Sequence, residues 1–149
     1  TFTTKWNMLK EKYDFIDGTL SFSHKFENGN DKKSLGTGEN EATILFILTK
    51  EMDTLTIHTN LGPTIPEDSD ESFNYNVALE WGLYETINIV GELFGNHTFD
   101  GSFHDNSLST LIGVTKELNG STVYDLGLTF GLSENDPDFQ LTTGLTIAL

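Results

Sequence analysis

The sequence predicts an all-β chain: an antiparallel up-and-down transmembrane β-barrel with about eight or nine strands, forming one domain over residues 1–149 or the C-terminal part of a larger barrel. Three observations carry that expectation. From residue 18 onward, apolar side chains recur with a period of two. The segments with this period run about 9–11 residues, longer than the five or six usual in soluble sheets and suited to tilted membrane-spanning strands. Short and long connections alternate along the chain, as they do where tight periplasmic turns oppose long extracellular loops.

Taken in order, the first strand is expected over residues 4–16, where the alternation is weak. Over 18–27, Leu20, Phe22 and Phe26 alternate with Thr19, Ser21, Ser23 and Lys25, although His24 interrupts the apolar row. Strands follow over 41–50 and 53–61. Over 73–82 one face reads Phe73, Tyr75, Val77, Leu79, Trp81, and the other Asn74, Asn76, Ala78, Glu80. Two more strands are expected over 86–95 and 107–118. Over 122–132, Tyr124, Leu126, Leu128, Phe130 and Leu132 oppose Val123, Asp125, Gly127, Thr129 and Gly131. The last strand, 139–149, sets Phe139, Leu141, Thr143, Leu145, Ile147 and Leu149 against Gln140, Thr142, Gly144, Thr146 and Ala148. Short turns are expected at 16–18, 51–53, 82–85 and 119–121. Long polar loops are expected at 28–40, 62–72 and 96–106, with 133–138 intermediate.

Composition narrows the function. Eight basic against 23 acidic side chains give a net charge of −15, which argues against a nucleic-acid partner because phosphate binding needs clustered Lys and Arg. The absence of cysteine excludes a disulfide scaffold, a thiol nucleophile and Cys-ligated metal. A hydrophobic fraction of 36% is too high for compositional disorder. The first residues carry neither a basic n-region nor an apolar h-region, so the sequence reads as a mature or partial chain without a signal peptide. The longest apolar run, Ile44–Leu48, is far short of the roughly 18 residues of a membrane helix. That argument does not touch barrels.

The faces differ in residue size and charge. From residue 41 onward the mid-strand acids are Glu80, Glu92 and Asp125, each on the small-polar side of its strand. A soluble barrel would bury its large apolar side and show charge to water. Small residues such as Ala78, Gly127, Gly131, Gly144 and Ala148 fill little of a dry core, whereas rows of Phe, Trp and Leu suit lipid. Trp81, Tyr84 and Tyr124 lie near strand ends, where aromatic girdles belong.

Several pieces resemble the bacterial outer-membrane barrel family associated with the meta pathway of phenol degradation, a transporter-like family. They are Leu35-Gly36-Thr37-Gly38, Asn60-Leu61-Gly62, Val77-Ala78-Leu79-Glu80-Trp81, Val90-Gly91-Glu92-Leu93-Phe94-Gly95, the run from Asp125 through Pro137-Asp138-Phe139, and Gly144-Leu145-Thr146. The resemblance spans roughly residues 12–149, and the closing run is its most specific part. It implies a passive channel or transporter for small, hydrophobic or aromatic solutes in the bacterial outer membrane, with lipid and lipopolysaccharide as partners. Family chains are longer and typically end in Phe, where this chain has Leu149. Strand parity points the same way: nine strands put Thr1 outside the cell, so either residues 1–17 are not a strand and eight strands close, or strands are missing upstream.

On this reading the residues facing the lumen are His58, Asn60, Asn74, Asn76, Glu80, Asn88, Glu92, Asp125 and Gln140, with the three acids biasing the path toward cations or neutral solutes. No catalytic residue, metal site or cofactor is expected. His24, His58, His97 and His104 are dispersed, and the loop holding His97, Asp100, His104 and Asp105 reads as solvated surface. Glu67-Asp68-Ser69-Asp70-Glu71 lacks EF-hand spacing, leaving divalent bridging to lipopolysaccharide or loosely bound calcium as its functional readings. Glu80 with Glu92 or Asp125 could pass for a glycosidase pair, but no aromatic platform for a sugar lies in register. Two other readings stand beside the channel: a small non-conducting structural or adhesive barrel, and a secreted soluble β-barrel or sandwich that binds a ligand.

Overall fold

Nine strands follow one another in space in the same order as in sequence: β1 (Phe2–Leu9), β2 (Asp17–Lys25), β3 (Glu41–Met52), β4 (Leu55–Pro66), β5 (Ser72–Tyr84), β6 (Ile87–Thr98), β7 (Ser107–Asn119), β8 (Thr122–Gly131) and β9 (Phe139–Ile147). The computed structural model describes residues 1–10, 12, 15–28, 38–99, 106–134 and 136–148. Every neighbouring pair is antiparallel. Sequence patterning thus predicts an all-β meander, and that is what forms. The sheet is open: β1 and β9 each have one partner. Phe2–Leu9 pairs with β2, so the eight-strand alternative, in which residues 1–17 form no strand, does not hold.

Strand bounds differ from the sequence reading at informative places. Asp17 and Gly18 begin β2 instead of forming a turn. β4 extends to Pro66, which shortens the expected loop from residue 62 to residues 67–71. Gly62 and Pro63 read as loop formers, yet Gly62 takes a φ of 157°, and the β3–β4 ladder is broken between Thr43↔Thr64 and Phe46↔Leu61. Proline has no N–H for that ladder, and glycine supplies the backbone freedom that lets pairing resume beyond it. The β3–β4 turn is tightened by Asp53 at φ 43°, a left-handed conformation that Asp tolerates. In the β7–β8 turn the Asn119 side-chain oxygen accepts from the Ser121 N–H and hydroxyl, both at 3.1 Å.

Directly paired residues share a face, so the register sorts side chains across the whole sheet. One face, here the apolar face, carries Trp6, Leu20, Phe46, Leu79, Trp81, Leu93, Ile112, Leu128, Phe130, Leu141 and Leu145. The polar face carries every acid found within a strand: Asp17, Glu41, Glu51, Glu80, Glu92, Glu117 and Asp125. The apolar face has no acid within a strand, and its strand lysines, Lys50 and Lys116, lie near the ends of β3 and β7.

No described hydrophobic side chain is buried, whereas Trp6 is 65% exposed, Ile112 61% and Leu141 63%. The chain exposes 10394 Å² at 16.6 kDa, where a globular protein of that mass exposes about 7,600 Å². The excess reflects a single layer with no second layer over it. The polar face is the less exposed one although its side chains are smaller, as a sheet curling toward that face requires.

The strands are also staggered. The paired row Asp17–Thr49–His58–Ala78–Glu92–Leu111–Thr129–Gln140 starts at the first residue of β2, at the short-turn end, and finishes at the second residue of β9, at the opposite end. That drift is about one residue per strand. With ~3.3 Å per residue and ~4.8 Å between strands, it inclines the strands by roughly 35° to the normal of the row, within the range of barrel tilts.

Candidate functional site

All nine sequence-predicted site residues lie on the polar face, and they fall into three groups. The first centres on Glu80. Asn88 Nδ2 donates to Glu80 Oε1 at 2.5 Å, and His58 Nε2 stands 3.9 Å from Glu80 Oε2. His58 Nδ1 shares a 3.0 Å hydrogen bond with Thr49 Oγ1. Side chains from four consecutive strands, β3 to β6, are thereby tied in one chain. Each cross-strand link of this kind contributes roughly 0.2–1 kcal/mol, enough in sum to fix rotamers in a face that has no dry core.

The second group is a cleft of about 470 Å³ toward the long-loop end, walled by Asn60, Asn74, Asn76, Asn96, Thr43, Thr64 and Phe94. The register explains why they meet. Asn60 pairs with Asn76 and Asn76 with Phe94, while in the neighbouring row Asn74 pairs with Asn96. Asn74 Nδ2 donates to Thr64 Oγ1 at 2.8 Å and to the Gly62 carbonyl at 3.2 Å. Thr64 in turn shares a hydrogen bond with Thr43. Asn76 Nδ2 donates to Glu92 Oε1, which connects the cleft to the acidic centre below it. Asn96 accepts from the Ser107 N–H at 3.2 Å.

Sequence reasoning missed two residues here. Phe94 alternates onto the polar face, opposite Asn76, so an aromatic ring does lie in register with polar groups, contrary to expectation. Asn96 was read only as a loop residue, but β6 runs on to Thr98. The signal was present in the sequence, since Phe94 is two residues from Glu92 and breaks the small-polar row, but its lateral neighbours depend on register.

The third group is Asp125 and Gln140, which stand apart on β8 and β9. Asp125 faces Gly144, where a Cβ would lie 2.5 Å from its carboxylate, so glycine there makes room for the acid. A second cleft of about 340 Å³, near the short-turn end, is lined by Val90, Leu111, Val123 and Asp125 and is mostly apolar.

Among the described residues, no three His, Asp or Glu side chains converge as metal ligands. Asp100, His104 and Asp105 lie outside the described residues, as do Leu35-Gly36-Thr37, Asn135 and Leu149. The acidic segment 67–71 is anchored to residues 39–40. Asn40 Nδ2 donates to Glu67 at 2.6 Å, and Ser69 Oγ donates to Glu39 at 2.8 Å.

Neither a protein-family model nor a curated protein sequence matches this chain.

The loop between β8 and β9 is held by Asp136. Its Oδ2 accepts from Ser133 Oγ at 2.6 Å and from the Leu108 N–H at 2.8 Å. Burial raises the cost of its charge, but these hydrogen bonds outweigh it and hold the carboxyl below the usual carboxylate range.

Proposed function

We propose that this chain is an arc of a bacterial outer-membrane β-barrel whose polar face lines a passive path for small solutes. One observation carries the reading: the apolar face is exposed and free of strand acids, while every strand acid and most cross-strand side-chain hydrogen bonds lie on the opposite, less exposed face. In water that arrangement leaves the hydrophobic side chains unburied and the charges crowded. Against lipid it is the expected polarity, with an apolar band outside and a hydrated lumen inside.

Dimensions agree with this reading. β3 to β7 have 12 or 13 residues each, so at a tilt near 35° they rise about 30 Å, the thickness of a hydrocarbon core. Trp81, Tyr84 and Tyr124 gather toward the short-turn end, at the level of an interface belt. Closure needs further strands. β1 and β9 run in the same direction, so antiparallel closure takes an odd number of them, from more polypeptide or from a second chain. A barrel of more than eight strands opens a lumen. The resemblance to the phenol-degradation barrel family supports the same class of function, and a soluble ligand-binding module is disfavoured by the uncovered apolar face.

Conductance across a planar bilayer tests the proposal. Stepwise cation-preferring conductance, with that preference reduced in the Glu80→Gln, Glu92→Gln, Asp125→Asn triple variant, supports it. A folded, membrane-inserted protein without conductance would instead indicate a structural barrel.

A further inference from the structure

The amide-lined cleft has three properties that together define a ligand. First, in a chain with a net charge of −15, none of the side chains lining it is charged. A cation or anion finds no counter-charge on its walls. Second, the cleft offers unused hydrogen-bonding groups of both kinds. Among the described residues the Asn60 carboxamide makes no side-chain hydrogen bond. Asn74 and Asn76 use their amino groups on Thr64 and Glu92, which leaves their carbonyl oxygens, while Asn96 uses its oxygen on Ser107, which leaves its amino group. A hydroxyl donates and accepts at one atom, so adjacent hydroxyls match this mixed set. Third, Phe94 supplies an aromatic ring beside the amides, and C–H groups with partial positive charge favour the negative face of such a ring.

We infer that this cleft is a binding subsite for a neutral, polyhydroxylated ring solute, that is, a saccharide. The inference rests on the solute-path reading and names a class of passenger for it. An apolar aromatic ring would occupy Phe94 but strand the four amides without partners, which disfavours it at this position. At about 470 Å³ the cleft holds one or two sugar rings. Tyr75 borders the site from β5, its Oη donating to the Ser107 carbonyl at 3.2 Å and so fixing the wall behind Asn96.

The test is saturation-transfer NMR with maltotriose on the folded chain in lauryldimethylamine oxide micelles, whose headgroup carries no sugar. Binding in the millimolar range is expected, with signal transferred to ring C–H protons. Phe94→Ala and Asn60→Leu should each weaken it at least tenfold, and Phe94→Tyr should retain it. Far-UV circular dichroism confirms that each variant is folded. No transfer to the parent chain overturns the subsite, as does equal transfer to Phe94→Ala and Asn60→Leu or displacement of maltotriose by toluene. Conductance separates the two claims. Binding without conductance keeps the subsite and removes the channel, and conductance without binding removes the subsite alone.

Discussion

Two glycines of β6, Gly95 and Gly91, make opposite predictions from the same substitution. At Gly95 an added Cβ would lie 2.2 Å from the Ser107 carbonyl oxygen and 2.8 Å from Tyr75 Oη. Tyr75 covers the gap that this glycine leaves, an aromatic laid across a bare stretch of backbone. At Gly91, four residues earlier on the same face, an added Cβ meets nothing within 4 Å. Gly95→Ala should therefore cost about 1–3 kcal/mol through backbone displacement, while Gly91→Ala should change stability by no more than about 0.5 kcal/mol. Urea unfolding in micelles checks both, and equal effects would contradict the assigned register. Gly62→Ala belongs with Gly95, since its Cβ would sit 1.9 Å from the Ile44 carbonyl oxygen at a positive φ.

At the scale of elements, the β8–β9 connection behaves as a latch on β7. Asp136 reaches the Leu108 N–H, Gly131 N–H donates to the Pro137 carbonyl at 3.1 Å, and Leu132 N–H donates to the Leu108 carbonyl at 2.7 Å. Because the folded carboxyl titrates below its unfolded value of about 3.9, its contribution is present above about pH 4 and is lost as pH falls through the folded value. Asp136→Ala should cost about 1–2 kcal/mol at pH 7 and less at pH 2, read by urea unfolding at both pH values. An equal cost at both would remove the ionised latch. The closing run was legible in the sequence as a Gly-Leu segment with an acidic Pro-Asp turn, but its anchor on Leu108 was not, because that contact links residues far apart in the chain.

The same limit separates what periodicity reveals from what it hides. Period two in segments such as Phe73–Trp81 gives the strands and their faces directly, since a side chain's face depends only on its parity. Parity also placed all nine predicted site residues on one face. It could not bring Asn60, Asn76 and Phe94 side by side, because lateral register is set by turns and bulges. Those irregularities fall at Asn7/Leu9, Gly82/Tyr84 and Glu117/Asn119, all toward the short-turn end, as bulges at a barrel rim do. The length of β4 was hidden for a related reason. Gly62-Pro63 is local turn chemistry overridden by pairing on both sides.

For the molecule as a whole, the decisive question is which face meets lipid. Both tryptophans of the chain, Trp6 and Trp81, lie on the apolar face, 65% and 51% exposed. Tryptophan emission therefore reports on that face alone. The measurement is fluorescence of the chain reconstituted in phosphatidylcholine vesicles, with and without bromine on the acyl chains. Strong quenching by brominated lipid, with little quenching by aqueous iodide, is the result that a lipid-facing apolar side predicts. Emission unaffected by brominated lipid and quenched by iodide would contradict it, and with it the assignment of the polar face to a solute path.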